Sequence, residues 1–165
     1  MSTQVISYDS FQAVTFCLAN DQKKEEYAIP IEQVREIRSV ESITKIPNSK
    51  SYVKGIMNLR GQIIPIVDVK DKLGLSTSYD GTSSRQRILV ADMSGSLAGL
   101  LVDEVDHVIR IQTKDVDEPP QNVLDSNYVK GIVKADKRLI VLLDIAEFLH
   151  DSASAVTDAM KGGQQ

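Results

Sequence analysis

Histidine and cysteine, the residues from which many metal and nucleophile sites are built, are scarce in this chain. His107 and His150 are its only histidines and Cys17 its only cysteine. Neither histidine has a second histidine or a cysteine at ligand spacing, so the pattern argues against a zinc site. His107 reads as a surface strand position, and His150 as the end of a short helix, where a partly charged ring is favoured. A single thiol forms no internal disulfide, which suits a reducing compartment. Cys17 lies in an apolar run without a neighbouring base and reads as a packed core thiol. Phosphate-cradling glycine motifs are missing. Gly95 and Gly99 flank Ser96-Leu97-Ala98, a spacing that fits neither the Walker nor the dinucleotide pattern. Aromatics make up 5% of the chain, tryptophan is absent, and the net charge is -4 without any Lys/Arg-rich run. Those figures exclude a sequence-independent nucleic-acid groove, which needs a basic face and stacking rings. Apolar runs such as Leu139 to Ile145 have strand length, too short to cross a bilayer. Residues 1–10 show no cationic stretch leading into an apolar core. The expectation is a cytoplasmic protein that does not insert into a membrane.

What the chain does have is a duplication. Tyr52 to Gly74 and Tyr128 to His150 align without a gap over 23 positions and share eight residues, including the run Tyr-Val-Lys-Gly-Ile. A shared run of that length reads as an internal repeat. It extends upstream, where Ile29 to Ile37 matches Leu100 to Val108 with an acid after each apolar triplet. The copies diverge at one place. Asn58-Leu59-Arg60-Gly61 stands opposite Lys134-Ala135-Asp136-Lys137, so function has been loaded onto one copy.

Short strand patterns separated by turns fill both copies. Phe11–Leu18, Tyr27–Ile31, Val34–Val40, Val53–Leu59 and Gln62–Val67 are predicted strands of the first half. Arg87–Met93, Leu97–Val102, Val108–Thr113, Tyr128–Val133 and Leu139–Leu143 are those of the second. Asn20 to Glu26 reads as a solvated turn. Pro65, inside a strand pattern, is expected at a sheet edge or bulge. Asp68 and Asp144 end equivalent strands and precede short helical patterns, as helix caps do. About five strands per half suggest a mainly β protein made of two small barrels with short helices. The expected boundaries are a flexible N-terminus over 1–10, subdomains over about 11–76 and 85–150 with possible strand exchange, and a flexible or short-helical tail over 151–165. In that tail Ala153, Val156 and Met160 fall on one helical side.

Candidate chemistry is thin. Asp103, Glu104 and Asp106 form the densest acidic group. A solvated turn accounts for it, and a small metal-binding or enzymatic β-barrel using these carboxylates is the alternative. No catalytic residue and no cofactor is assigned. The Asn58–Gly61 turn projects Arg60 outward. An exposed arginine is either solvated or an interface anchor whose fork grips a carboxylate or carbonyl.

The run Tyr52-Val53-Lys54-Gly55-Ile56-Met57-Asn58-Leu59-Arg60-Gly61-Gln62-Ile63-Ile64-Pro65-Ile66-Val67-Asp68 resembles the signature of the CheW-type bacterial chemotaxis coupling proteins. Glu25 to Ile31, Val34 to Ile37 and Gly99 to Val105 fit the same family in order, and the likeness covers residues 10–150. The resemblance implies two five-stranded, SH3-like barrels about a pseudo-two-fold axis. It implies a non-catalytic adaptor between chemoreceptors and the histidine autokinase CheA, recruited to receptor arrays at the membrane. The partners implied are the helical cytoplasmic tip of a receptor and the kinase's regulatory domain. Residue by residue, it places a receptor-facing groove at Ile31, Val34, Glu36, Gly55 and Arg60, with Asn58 and Gly61 supporting the turn. The chain is too short for a kinase's phosphotransfer and ATP-binding domains or for an added receiver domain, so a stand-alone coupling protein is expected.

Overall fold

Eleven strands and two short helices follow one another in the described residues, which are 9–19, 23–75, 85–120 and 127–150 of the computed structural model. The first half supplies β1 (Ser10–Ala19), β2 (Lys24–Pro30), β3 (Val34–Ser39), β4 (Val53–Leu59), β5 (Gln62–Asp68) and helix α1 (Val69–Lys72). The second supplies β6 (Arg87–Met93), β7 (Ser96–Val102), β8 (Glu104–Gln112), β9 (Val116–Asp117), β10 (Val129–Ala135) and β11 (Arg138–Leu143). Helix α2 occupies 145–150. The protein is mainly β.

Two sheets form, in the orders β8-β1-β2-β11-β10-β9 and β3-β6-β7-β5-β4. Neither coincides with a half of the chain. The hairpin β1–β2 joins the strands of the second half, and β6–β7 joins those of the first. The duplication accounts for the pattern: β6, β7, β5 and β4 stand in one sheet as β1, β2, β11 and β10 stand in the other. Each sheet contains one parallel pair, β5 with β7 and β11 with β2, at equivalent places. Tyr52 O accepts from Asp68 N, and Tyr128 O from Asp144 N, both at 2.7 Å.

Chain length forces both sheets to curl. The outer edges of a flat six-stranded sheet lie about 24 Å apart. Its edge strands β8 and β9 are joined only by the 3-10 turn Thr113–Asp115, which spans at most about 14 Å. In the other sheet, Thr44 follows β3 by five residues yet exchanges backbone bonds of 2.8 and 2.9 Å with Ile56 on the outer side of β4. The expectation of closed five-stranded barrels is corrected here: one sheet has six strands, and neither ladder closes among the described residues. A turn and a single bridge complete each circuit instead of a ladder. Each sheet still encloses a core of its own, Ala13, Ala28, Ile111, Val133, Ile140 and Leu142 in one and Met57, Leu59, Ile64, Ile66, Ile88 and Val90 in the other. A third core, around Phe16, Ile29, Leu89, Leu100 and Phe148, lies between the sheets. Strands covered on both faces read as unbroken apolar runs, as in Ile88-Leu89-Val90-Ala91, all fully buried.

Two local expectations fail for identifiable reasons. Lys24, Glu25 and Glu26 belong to β2 and not to a turn, because Ala19, Leu18 and Cys17 of β1 pair with them in that order. Pro65 sits in an interior strand, between β7 and β4. It faces Ile56, whose own backbone groups point the other way, to Thr44. The parallel ladder to β7 begins only at Ile66. The missing N–H of Pro65 therefore removes no ladder bond. The caps are as expected: Asp68 Oδ1 accepts from Asp71 N at 3.3 Å and Asp144 Oδ1 from Glu147 N at 3.2 Å.

Gly55 has a backbone task. It is buried at a bulge with φ of 146°, and a Cβ there would lie 2.1 Å from Thr44 O. Gly131 sits at the matching bulge, where a Cβ would lie 2.4 Å from the Val116 side chain and 3.1 Å from Asp117 O. Gly55→Ala is expected to cost about 2–3 kcal/mol in urea unfolding, because a backbone carbonyl cannot swing aside. Gly61→Ala, with φ of 86° but nothing within 4 Å, should cost only about 1 kcal/mol. Equal losses would remove the steric explanation.

Candidate docking surface

The two edges of the five-stranded sheet meet at one ion pair. Arg60, in the β4–β5 turn, donates from Nη1 to Oε2 of Glu36 on β3 at 2.6 Å. Sheet order places β3 and β4 four strands apart, and curling brings them together. Arg38 shares the face of Glu36 because side chains alternate along a strand. Its Nη1 donates to Glu36 Oε1 at 3.2 Å and its Nη2 to Glu41 Oε1 at 2.7 Å. The four side chains form a surface chain of alternating charge, Arg60–Glu36–Arg38–Glu41. Partial burial favours the neutral acid at Glu36, but hydrogen bonds from Arg38 and Arg60 and their charges hold its carboxyl below the ordinary value. Its bonded form is thus present above the ordinary carboxylate range and is lost as pH falls through the depressed value.

Arg60 breaks a local rule. Its φ is 52° and that of Gly61 is 86°, the two positive values of a type I′ hairpin turn. Asn, Asp and Gly suit the first of these positions; a long side chain is strained there. Asn58 steadies the turn by accepting from Gly61 N at 2.8 Å. Asp136, the repeat counterpart, has φ of 57°, so the second copy carries the residue type that this conformation favours. Arg60 leaves 71% of its side chain exposed.

Exposed apolar side chains lie on and beside β3, Ile37 on the strand face opposite Glu36 and Arg38. Ile31 lies in the 3-10 turn Ile31–Gln33 where the chain passes from one sheet to the other, and it is exposed, as are Ile37 and Val40. Val34 is half-buried and packs on the central core, so it is as much structural as surface. Gly55 is buried and presents no side chain. The structure therefore joins Glu36, Arg60, Asn58 and Gly61 directly, sets Ile31 and Val34 at the sheet crossing, and leaves Gly55 behind the bulge. Sequence reasoning singled out the strand Val34 to Arg38 but gave Arg38 and exposed Ile37 no role of their own, although the i, i+2 spacing of Glu36 and Arg38 carried that signal, and it missed Glu41 and exposed Val40.

The acidic cluster near Asp103 is not a solvated turn. Asp103 is buried and pairs with Lys70 at 3.1 Å. Glu104 pairs with Lys24 at 2.9 Å and lies 3.7 Å from Arg85. Asp106 accepts from Cys17 Sγ at 3.2 Å. Each carboxylate is committed to a different partner, and no group of three metal-ligating side chains forms among the described residues. Burial first, then the bond to Asp106 and nearby negative charge, push the Cys17 thiol up to about 12. Burial, with a contribution from Glu25, pushes the Tyr27 phenol up to about 12. The folded state keeps both protons where the unfolded chain loses them. Stability is therefore expected to fall as pH rises above about 9 for Cys17 and above about 10 for Tyr27. Unfolding curves across that range should show a shallower decline for Cys17→Ala and Tyr27→Phe. An unchanged slope in both variants would contradict the burial argument.

A family model described as a CheW-like domain matches residues 12–153. The chain belongs to the CheW-like family. The Chemotaxis protein CheW of Helicobacter pylori is 35% identical over 126 residues, 76% of this chain and 75% of its own. The CheW of Treponema pallidum is 32% identical over 144 residues, 85% of this chain and 82% of its own. A solved structure, the scaffolding protein TtCheW from Thermoanaerobacter tengcongensis, is similar with a TM-score of 0.73 and 37% identity, covering 82% of this chain and 84% of that one. These CheW-like relatives are named as chemotaxis and scaffolding proteins, and none of the names denotes an enzyme. No helix of the described residues is long and apolar enough to cross a membrane.

Proposed function

We propose that this CheW-like protein is a non-catalytic adaptor that couples chemoreceptors to the histidine autokinase CheA. The observation that carries the reading is the family match over nearly the whole chain, joined to a polar docking device present in one repeat only. The helical tip of a receptor is read through Ile31 and the neighbouring apolar positions, with Glu36 and Arg60 fixing its register. That is helix-in-groove recognition, in which apolar anchors recur at helical spacing and polar groups set orientation. Val34 and Gly55 support the groove from below. The kinase's regulatory domain, itself of this fold, packs against the adaptor pseudo-symmetrically. The two curled sheets, each with a core of its own, support SH3-like subdomains over about 11–76 and 85–150 that exchange their first hairpins. On this reading the protein is cytoplasmic and is held at membrane arrays by its partners.

The test is co-sedimentation of the purified chain with receptor-bearing membranes and the kinase, with autophosphorylation followed in parallel. The chain should pellet with receptor-bearing membranes and not with bare ones. Kinase activation should require receptor, kinase and this chain together. Failure of both, with a cognate receptor and kinase from the same cell, overturns the reading. The alternative of a metal-binding or enzymatic barrel has no observation in its favour, since the carboxylates on which it would rest are paired.

A further inference from the structure

A basic hollow lies apart from the docking surface. Lys45, Ser49, Lys50 and Ser51, from the loop between β3 and β4, and Lys54 of β4 line a concavity of about 280 Å³, and no acid shares its lining. The chain carries a net charge of -4, so three lysines around one hollow run against its balance. Arg60 follows the far end of β4, roughly 20 Å along the strand from Lys54. The hollow is therefore separate from the surface built on Glu36 and Arg60.

These cations are poorly neutralised. Lys54 Nζ stands 3.7 Å from Asp68 Oδ2 and 3.9 Å from Asp71 Oδ2, beyond hydrogen-bonding distance of either. Lys45 and Lys50 form no ion pair among the described residues. Both are exposed, while Ser49 and Lys54 are half-buried. The loop is held in shape by its own bonds. Ser49 Oγ donates to Ile46 O at 3.0 Å, and Val53 N to Lys50 O at 3.0 Å. The lysine stems thus spring from a fixed backbone, and a ligand has less of the loop to order on binding.

The duplication confines this charge to one copy. Thr44 bridges to Ile56 in the first copy and Asp117 to Ile132 in the second, at equivalent places. From there to the shared Tyr-Val-Lys-Gly-Ile run, the first copy reads Lys-Ile-Pro-Asn-Ser-Lys-Ser over 45–51, with two lysines and no acid. The second reads Glu-Pro-Pro-Gln-Asn-Val-Leu-Asp-Ser-Asn over 118–127, with two acids and no base. Charge is reversed between the copies here, as it is between Arg60 and Asp136.

We infer that Lys45, Lys50 and Lys54 form a binding site for a small, soluble phosphorylated anion, with Ser51 adding a hydroxyl donor. No arginine lines the hollow, so it offers no planar fork to match a carboxylate. Lysine ammoniums are point charges with three donors each, which suit the spread charge of a phosphate. Only a ligand with more than one negative charge engages several of them. The volume takes a phosphate group and a few waters, each water filling about 30 Å³. The site is independent of the adaptor reading.

The probe is pyrophosphate, titrated into the full chain at low ionic strength, where exposed charges are least screened. Backbone amide shifts are followed by NMR. They should saturate and gather at residues 45–54, and sodium chloride at matched ionic strength should not reproduce them. Lys45→Gln with Lys50→Gln should weaken binding about tenfold, or about threefold for each exposed pair lost, with the rest of the spectrum unchanged. Lys114→Gln with Lys137→Gln, at exposed lysines of the other copy, should bind as the original chain does. Shifts that stay linear, or that match those of chloride, would overturn the inference and leave the lysines merely solvated. Unweakened binding by the Lys45 and Lys50 double variant would overturn it too. Flotation with phosphatidylglycerol vesicles, without a saturable response to pyrophosphate, would give the patch to a lipid surface and overturn the soluble ligand.

Discussion

Asp103→Ala should lower the unfolding free energy by about 3–5 kcal/mol, the usual loss when one partner of a buried ion pair is removed. Asp103 Oδ2 receives Lys70 Nζ at 3.1 Å and Ala19 N at 2.7 Å, and Lys70 Nζ also donates to Ala19 O at 3.2 Å. The side chains of Lys70 and Asp103 are only 11% and 7% exposed. One carboxylate thus ties the end of β1, from the six-stranded sheet, to α1 and to the β7–β8 junction of the other half. Truncating it takes the carboxylate from the buried Lys70 ammonium, which keeps its bond to Ala19 O, and the acceptor from the part-buried Ala19 N–H, and each loss carries a cost. Lys70→Met with Asp103→Leu should recover part of the loss, because no buried charge is left unpaired although the Ala19 N–H still lacks its acceptor. Urea unfolding of the single and double variants checks both. A loss below about 1 kcal/mol for Asp103→Ala would place the pair among surface ion pairs, whose contribution is that small. The pair has no counterpart in the other copy. Ala146 stands at the repeat position of Lys70, and exposed Glu32 at that of Asp103. The duplication has diverged in its interior as well as on its surface.

Much of the β order was legible because strand and turn signals are local. The gapless repeat placed β4–β5–α1 and β10–β11–α2 correctly, with Asp68 and Asp144 as matching caps. What could not be read is what depends on distant partners. Pro65 breaks a strand rule that holds for an isolated strand. Its position is harmless only because Ile56 turns its backbone to Thr44, a contact no local pattern encodes. Lys24 to Glu26 read as a turn by charge, yet pairing with β1 extends them into a strand. Asp103 read as solvated for the same reason, since Lys70 lies 33 residues away in sequence. The opposite edges β3 and β4 meet only after the sheet curls, so the Glu36–Arg60 contact was reachable from family likeness and not from periodicity. Gly55, in contrast, recurs as Gly131, and that recurrence already pointed to a backbone role.

Arg60→Asp should abolish coupling while leaving the fold intact. Three stability effects are at work, each small. The substitution relieves a long side chain from positive φ, where Asp is better tolerated. It removes an exposed ion pair, whose net contribution is slight. It also sets an acid near Glu36, which keeps Arg38 as a partner at 3.2 Å. A change within about ±0.5 kcal/mol is expected. Asp136 occupies the matching turn with φ of 57° against 52° for Arg60, so this backbone already accommodates an acid. Binding is different. If Arg60 anchors a partner, its loss costs about 2 kcal/mol or more, roughly thirtyfold in affinity, and a new acid repels any partner carboxylate. Arg60→Asn separates the contributions: it keeps the turn preference, adds no charge, and should melt at or above the original temperature while still losing most coupling. The control in the second copy is Asp136→Asn rather than Asp136→Ala, because alanine would strain a turn at positive φ. Asp136→Asn should couple normally. Thermal melts, receptor co-sedimentation and kinase activation on these three variants decide the matter. Full coupling by Arg60→Asp would mean that the charge difference between the repeats is surface drift. Loss of coupling with an unaltered melt would mean that the strained turn is retained for the arginine it displays.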